Sequence, residues 1–320
     1  MDFHTPVLSD EVLEYLNPKP GETAVDGTLG GAGHALEIAK RIEPDGTLVG
    51  IDLDSAAIDQ AKKVFEKQKL KSKIFFAQDN YKNIDRVLEN LAIKKADLIL
   101  VDIGISSFDL EQSKRGFSFQ KEEPLDMRFN TEDRLENKRK QPFTAYFILQ
   151  SYPEKELEKI FREYGEEKFS RKIARVIVRH RQQTEILTTT DLLELIKQAL
   201  PAPLRFKAAD SARRIFQSLR IEVNAELENL KEFLPKAFRL LTPGGRLAVI
   251  SFHSLEDRIV KQFFNDRAKG CICPPEFPIC KCGRDAQAKI LTKKPISAGS
   301  KEQEQNPRSK PAKLRVLQKF

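Results

Sequence analysis

Short apolar runs of strand length alternate with segments of helical period through the first part of the chain. This is the pattern of a parallel sheet with crossover helices. Residues 23–25, 47–51, 73–76 and 97–101 read as four strands. Asp54 is placed to cap a helix that carries Ala57, Ile58, Ala61, Val64 and Phe65 on one face. Right-handed crossovers then fix most of the strand order. Beyond Asp102 the rhythm changes: residues 108–142 are rich in Gly, Ser, Pro and charge, and residues 142–205 hold helices only, at 143–150, 154–164, 171–181 and 190–200. One long helix is predicted over 211–241, stopped by Pro243-Gly244-Gly245, and a fifth strand follows at 246–251. Segments 288–292 and 313–317 fit an edge hairpin that closes the sheet antiparallel. The pattern predicts an α/β fold in two parts: a discontinuous sheet domain of residues 1–107 and 208–320, and an inserted all-helical domain of residues 108–207.

Composition adds a class and a partner. With 40% hydrophobic and 32% charged residues the chain is expected to be a soluble globular protein with a real core. The opening residues lack the basic start and apolar run of a signal peptide, and the apolar stretches are strand-sized, so a cytoplasmic protein without membrane attachment is expected. A net charge of +8 favours a polyanionic partner, because each Lys or Arg that neutralises a phosphate releases condensed counterions. The surplus is uneven: residues 284–320 hold ten Lys/Arg against three acids, and further basic runs lie at 171–181 and 205–220.

In an open α/β sheet the ligand sits beyond the carboxyl ends of the strands. After the first strand comes Asp26-Gly27-Thr28-Leu29-Gly30-Gly31-Ala32-Gly33-His34, a glycine loop that lacks the strict phosphate-binding spacing and begins with an acid. An acid there repels a pyrophosphate and attracts an ammonium, which favours S-adenosylmethionine over a dinucleotide. The second strand ends at Asp52, 19 residues after Gly33, where a carboxylate accepts hydrogen bonds from both ribose hydroxyls. After the third, Asp79-Asn80-Tyr81 offers an acceptor for the adenine amine and a ring to cover its face.

The fourth strand runs into Asp102-Ile103-Gly104-Ile105-Ser106-Ser107-Phe108-Asp109, with Asp102, Ser106 and Ser107 as candidate acceptors for the N–H groups of an amine nucleophile and Phe108 as a stacking ring. The fifth leads to Ser251-Phe252-His253-Ser254-Leu255-Glu256-Asp257, which puts His253 at the same rim, as a catalytic group or as an orienting one. His4, ahead of Pro6, is a candidate for a lid over the cofactor. All four cysteines fall in Cys271-Ile272-Cys273 and Cys280-Lys281-Cys282. Such a cluster is closer to a zinc knot than to disulfides, although C-x-C pairs are less usual than C-x-x-C. No metal is assigned to the reaction, and zinc binding by these thiols stays open.

Along nearly its whole length the chain resembles the bacterial small-subunit (16S) rRNA cytosine-N4 methyltransferases of the RsmH/MraW type. The resemblance rests on His4-Thr5-Pro6-Val7-Leu8, the Asp26 to His34 loop, Asp102 to Ser107, Arg115-Gly116-Phe117-Ser118-Phe119, Pro124-Leu125-Asp126-Met127-Arg128, Phe216-Gln217-Ser218-Leu219-Arg220, Gly244-Gly245-Arg246, Ser251 to Arg258, and Asn306-Pro307-Arg308. It implies a class I S-adenosylmethionine-dependent methyltransferase (Rossmann-like) fold with a helical insert, and N4-methylation of a decoding-centre cytidine in 16S ribosomal RNA, within the small ribosomal subunit. It also implies cofactor contacts at Ala32, Gly33, His34, Asp52, Tyr81, Asp102 and Asp109; with Asp26, Gly31 and Asp79 these make up the expected cofactor set. Two positions depart from the family pattern: Ala32 stands where glycine is frequent, and Asp109 where glutamine is common.

Three other readings remain at this point. A nicotinamide-dependent oxidoreductase is disfavoured by the acid-led loop, and a DNA cytosine-N4 methyltransferase by the absence of a Pro-Pro-aromatic motif between Asp102 and Phe108. An RNA-binding ribosome assembly factor with a vestigial pocket is the third. Oligomeric state is left open, a homodimer included.

Overall fold

The structure is a computed structural model and describes residues 6–104, 113–130, 142–271, 273 and 281–320. It divides into two compact units, one of Met1–Gly104 with Leu227–Phe320 and one of Ile105–Glu226. Among the described residues no helix is long and apolar enough to cross a membrane.

The first unit is built on seven strands: β1 (Thr23–Asp26), β2 (Thr47–Asp52), β3 (Lys73–Gln78), β4 (Ala96–Asp102), β5 (Leu241–Ser251), β6 (Ala288–Ile290) and β7 (Lys313–Lys319). Their order is β3-β2-β1-β4-β5-β7-β6. The first five run parallel and the β7-β6 pair closes one edge antiparallel, as the sequence pattern predicts. Because the order reverses at β1 and β4, a crevice opens at their carboxyl ends, the usual ligand position in such sheets.

Both faces of the sheet are covered, so the central strands read as continuous apolar runs rather than alternating ones. Alternate residues nevertheless serve different cores. Ala24, Leu48, Leu98, Leu100, Ala248 and Ile250 pack with Leu8, Leu16 and Ile38, from helices α1 (Ser9–Leu16) and α2 (Gly33–Arg41) and the residue ahead of α1. Val25, Val49, Ile99, Val101, Leu247 and Val249 pack instead with Phe233, Leu234 and Phe264 on the opposite face. Helix α3 (Ser55–Glu66) starts where the sequence puts its cap, with the Asp54 carboxylate accepting from the Ala56 N–H at 2.9 Å.

Two local expectations need correction. Pro243-Gly244-Gly245 does not separate helix from strand: β5 begins at Leu241 and passes through it. Ala96 pairs with Leu241 while Leu98 pairs with Arg246, so the triplet is extra chain accommodated as an irregularity in the β4–β5 ladder. Gly244 has φ +81°, a backbone state that suits glycine. The helix predicted over 211–241 is in fact two, Ala208–Asn224 and Glu226–Leu240, broken at Ala225 with φ 50°. No Gly or Pro marks this break. It is held by tertiary bonds: Asn224 donates to the Met127 and Arg220 carbonyls and accepts from the Phe129 N–H, while Arg220 grips Glu226 through two bonds of 2.7 and 2.8 Å.

The second unit is helical, with α4 (Ile84–Asn90) of the first unit followed in the chain by α5 (Ala145–Ser151), α6 (Glu154–Glu163), α7 (Ser170–His180), α8 (Thr189–Ala199) and α9 (Ala208–Asn224). Their apolar stripes meet in one core of Leu149, Leu157, Phe161, Ile173, Ile177, Leu192, Ile196, Ile215, Phe216 and Leu219. Since α9 supplies Ile215, Phe216 and Leu219, the compact helical unit extends to Glu226, beyond the expected boundary at 207.

Candidate cofactor and acceptor site

Register sets the site. Asp26 stands level with Gly50 on one side and Leu100 on the other, so Asp52 and Asp102 lie two residues further along their strands. Three carboxylates are thereby delivered to the carboxyl ends of three adjacent strands. The loop after β1 is stitched between its neighbours: the Gly27 N–H donates to the Leu100 carbonyl at 2.8 Å and the Leu29 N–H to the Ile51 carbonyl at 2.9 Å. A Cβ on Gly27 would stand 2.7 Å from the Val101 side chain, which is why glycine is needed there, whereas one on Gly31 would meet nothing within 4 Å. The loop therefore packs at its start and opens at Gly31. Ala32 precedes α2 with φ 63°, a left-handed conformation that favours glycine.

Asp26 is buried, its Oδ1 accepting the Thr28 N–H at 3.1 Å, and its other oxygen has no hydrogen-bond partner among the described residues. Burial raises its pKa well above the usual carboxylate value; the Thr28 bond opposes this, and the charges of Asp102 and Asp52 add to it. Asp52 braces the loop, with Oδ2 accepting the Gly30 N–H at 2.8 Å and Oδ1 the Asp54 N–H at 2.9 Å.

Asp79 is committed locally. Its Oδ1 accepts from the Asn80 N–H and the Asn83 amide, both at 2.7 Å, and Oδ2 from Arg86 at 2.7 Å. Burial would raise its pKa, but the bonds from Arg86, Asn83 and Asn80 outweigh it and hold the carboxyl below its usual range. The residue thus fastens the turn that carries Tyr81, whose ring stands edge-on to Phe233 with centroids 5.2 Å apart.

Asp102 is the centre of the acceptor side. Its N–H donates to Thr28 Oγ1 at 2.6 Å, its Oδ1 accepts the Gly104 N–H at 3.3 Å, and its Oδ2 is 3.9 Å from Nε2 of the buried His34. Desolvation pushes its pKa up to about 7, against the Gly104 bond and with help from the Glu256 charge. Glu256 is itself buried and organises the end of β5: Oε2 accepts the Phe252 and His253 N–H groups at 2.8 and 3.1 Å, and Oε1 lies 3.0 Å from His253 Nε2. Neither ring nitrogen of the buried His253 side chain has a partner in hydrogen-bond geometry among the described residues. The Phe252 ring lies against Gly104, where a Cβ would come within 2.7 Å.

Thr28, Gly104 and Glu256 are the members that sequence reasoning missed. Thr28 was in view inside the glycine loop, and Glu256 three residues after His253 has capping-box spacing, the signal that would have found it. Ser106, Ser107, Phe108, Asp109 and His4 lie outside the described residues. A polar groove of about 310 Å³ lined by Lys19, Glu22, Asp97, Thr242 and Arg246 lies at the amino-terminal edge of the sheet, the wrong end for this chemistry.

The family model described as the MraW methylase family matches residues 1–320. The chain is 48% identical over 321 residues to ribosomal RNA small subunit methyltransferase H of Clostridium botulinum (strain Loch Maree / Type A3), covering 100% of both chains. It is 47% identical over 322 residues to the protein of that name from Heliobacterium mobile, again covering 100% of both. A parallel sheet tipped with acids around an open glycine loop, together with identity of this order from end to end, makes the chain a member of the MraW methylase family.

Proposed function

We propose that the protein transfers a methyl group from S-adenosylmethionine to the exocyclic N4 amine of a decoding-centre cytidine in 16S rRNA, presented by the small ribosomal subunit. The observation that carries this is the convergence of Asp26, Asp52 and Asp102 on one crevice, in a chain whose relatives are named for rRNA methylation.

The donor set fits the cofactor. Asp26 has a second carboxylate oxygen to accept from an ammonium group, and Asp52 stands at the end of β2 for the ribose hydroxyls. Tyr81 offers a ring for the adenine, and Gly31, Ala32, Gly33 and His34 present backbone at the N-terminus of α2, where a carboxylate is favoured. Asp109 completes the set by resemblance. When bound, S-adenosylmethionine supplies an electrophilic methyl group on a sulfonium leaving group. Its net charge is positive, and mutual repulsion among the three acids is relieved by a cation. The thioether product has lost that charge, so the same carboxylates hold it less tightly, which favours turnover.

A cytosine amine is a weak nucleophile because its lone pair is delocalised into the ring. Asp102, once ionised, accepts an N–H bond from that amine, localises the lone pair and takes the proton released as the C–N bond forms and the C–S bond breaks. Ser106 and Ser107 follow in the chain as further acceptors for the amine. His253, whose Nε2 lies 3.0 Å from the Glu256 carboxylate, offers an imidazole nitrogen at the end of β5 for a hydrogen bond to the acceptor base.

RNA contact is assigned to the helical unit, on a narrower surface than the basic runs suggest. Arg181 donates to the Leu149 carbonyl, Arg214 pairs with Glu167 at 2.6 Å and Arg220 with Glu226, so these three arginines are structural. Arg171, Lys172, Arg175 and Arg179 are exposed on α7, Arg175 also lying 3.6 Å from the exposed Glu154 carboxylate, and Arg205-Phe206-Lys207 is exposed ahead of α9. Phe206, 78% exposed between two cations, is built like a stacking residue for an unpaired base.

Labelled methyl transfer to isolated 30S subunits, free 16S rRNA and duplex DNA tests the reading. Transfer to the subunits is expected; label in DNA alone, or donor binding with no transfer to any RNA, would overturn it.

A further inference from the structure

We infer that Cys271, Cys273 and Cys282 form a thiolate metal centre that takes zinc and pins the segment between the helix Ser254–Ala268 and β6. This goes beyond the methyl-transfer reading, in which the cysteines have no part. The sulfur atoms of all three lie within 4.8 Å of one another, although Cys282 is nine residues from Cys273 in sequence. Cys271 Sγ and Cys282 Sγ are 3.7 Å apart. A disulfide would bring them to about 2 Å. Tetrahedral Zn–S bonds of about 2.3 Å place neighbouring sulfurs about 3.8 Å apart, so the observed spacing is that of one edge of a zinc–thiolate tetrahedron.

The backbone treats these sulfurs as anions in waiting. The Cys273 N–H donates to Cys271 Sγ at 3.4 Å and the Lys281 N–H to Cys273 Sγ at 3.3 Å. Such N–H bonds stabilise the charge that accumulates on metal-bound thiolates and orient the ligands. The ends of the segment are already clamped: Arg284 donates to the Asp266 carboxylate at 2.7 Å, and the Gln287 N–H to the Arg267 carbonyl at 2.9 Å. A metal at the thiols would fasten the far end and close the loop between Cys273 and Cys282. On binding, each S–H bond is replaced by an S–Zn bond and the proton goes to solvent. The inference rests on the three described thiols; the chain's fourth cysteine, Cys280, lies outside the described residues.

The test uses the full-length, tag-free protein purified under reducing conditions from zinc-supplemented cells. Elemental mass spectrometry should find about one zinc per chain, and cobalt(II) added to metal-stripped protein should give a thiolate-to-cobalt charge-transfer band. Cys271→Ser with Cys282→Ser should abolish both signals while circular dichroism and methyl transfer are kept. Cys273→Ser alone should weaken cobalt binding by at least about tenfold. Zinc-free protein with no charge-transfer band, a Cys271–Cys282 disulfide in freshly isolated protein, or a double variant that keeps its zinc would each overturn the inference.

Discussion

The Asp102 N–H donates to the Thr28 hydroxyl at 2.6 Å, so the first residue of the acceptor segment hangs from the middle of the cofactor loop. Thr28→Val keeps the shape and removes the acceptor. A buried N–H left without a partner costs roughly 1–3 kcal/mol. The variant is expected to melt a few degrees lower and to lose methylation rate more than donor affinity, as read by calorimetry beside steady-state kinetics. Equal loss in both would mean that the bond supports the fold alone.

Asp102 also makes stability and activity depend on pH in opposite senses. Its folded pKa is about 7 against an ordinary value of 3.8. Between these values the folded state holds a proton that the unfolded state has released, so this residue's contribution to stability falls as pH rises across the window, by up to about 4 kcal/mol. Asp102→Asn should therefore match wild type in denaturant midpoint near pH 4 and exceed it at pH 8. Wild-type kcat/KM for the donor should rise with pH through a limb near 7 that the variant lacks. A variant less stable than wild type at pH 8 would contradict the assignment.

Much of the first unit was legible because parallel strands buried on both faces leave apolar runs of fixed length, and β1 to β4 were found within two residues. Asp26, Asp52 and Asp102 were legible for the same reason: each ends such a run. The break at Ala225 was not, since an apolar stripe continues across it and the bonds that hold it, from Asn224 to the distant Met127 and from Arg220 to Glu226, leave no Gly or Pro mark. Nor could charge alone separate Arg214, whose acid Glu167 lies elsewhere in the fold, and Arg220, held across the break by Glu226, from Arg171 and Arg179 on an exposed face.

Ala32 offers a test of strain. At φ 63° an L side chain costs roughly 1–2 kcal/mol, part of which its buried methyl group returns. Ala32→Gly is expected to raise stability by about 0.5–1 kcal/mol with donor affinity unchanged. A destabilised variant would show that methyl packing outweighs the backbone.

Asp52→Ala removes both a ribose acceptor and the brace on Gly30. Donor affinity should fall by roughly 1.5–3 kcal/mol, or about ten- to a hundredfold, in calorimetry. Affinity within twofold of wild type would move the ribose site elsewhere.

On the helical unit, Arg175→Glu with Arg179→Glu should leave donor binding intact and weaken subunit binding. Each lost phosphate contact should flatten the salt dependence by about 0.7–0.9 in slope. Phe206→Ala should weaken binding with little change in slope, because stacking carries no charge. Superimposable salt curves for the arginine variant would remove α7 from the RNA surface.

Nucleoside mass spectrometry of 16S rRNA from cells that lack the gene, before and after their 30S subunits are incubated with this protein and S-adenosylmethionine, decides whether the decoding-centre cytidine is the acceptor. N4-methylated cytidine should be missing before incubation and restored after it, at a decoding-centre cytidine, with no restoration by Asp102→Asn. Unchanged N4-methylcytidine in the gene-deleted cells, or restoration by the Asp102→Asn variant at the wild-type rate, would contradict the proposed function.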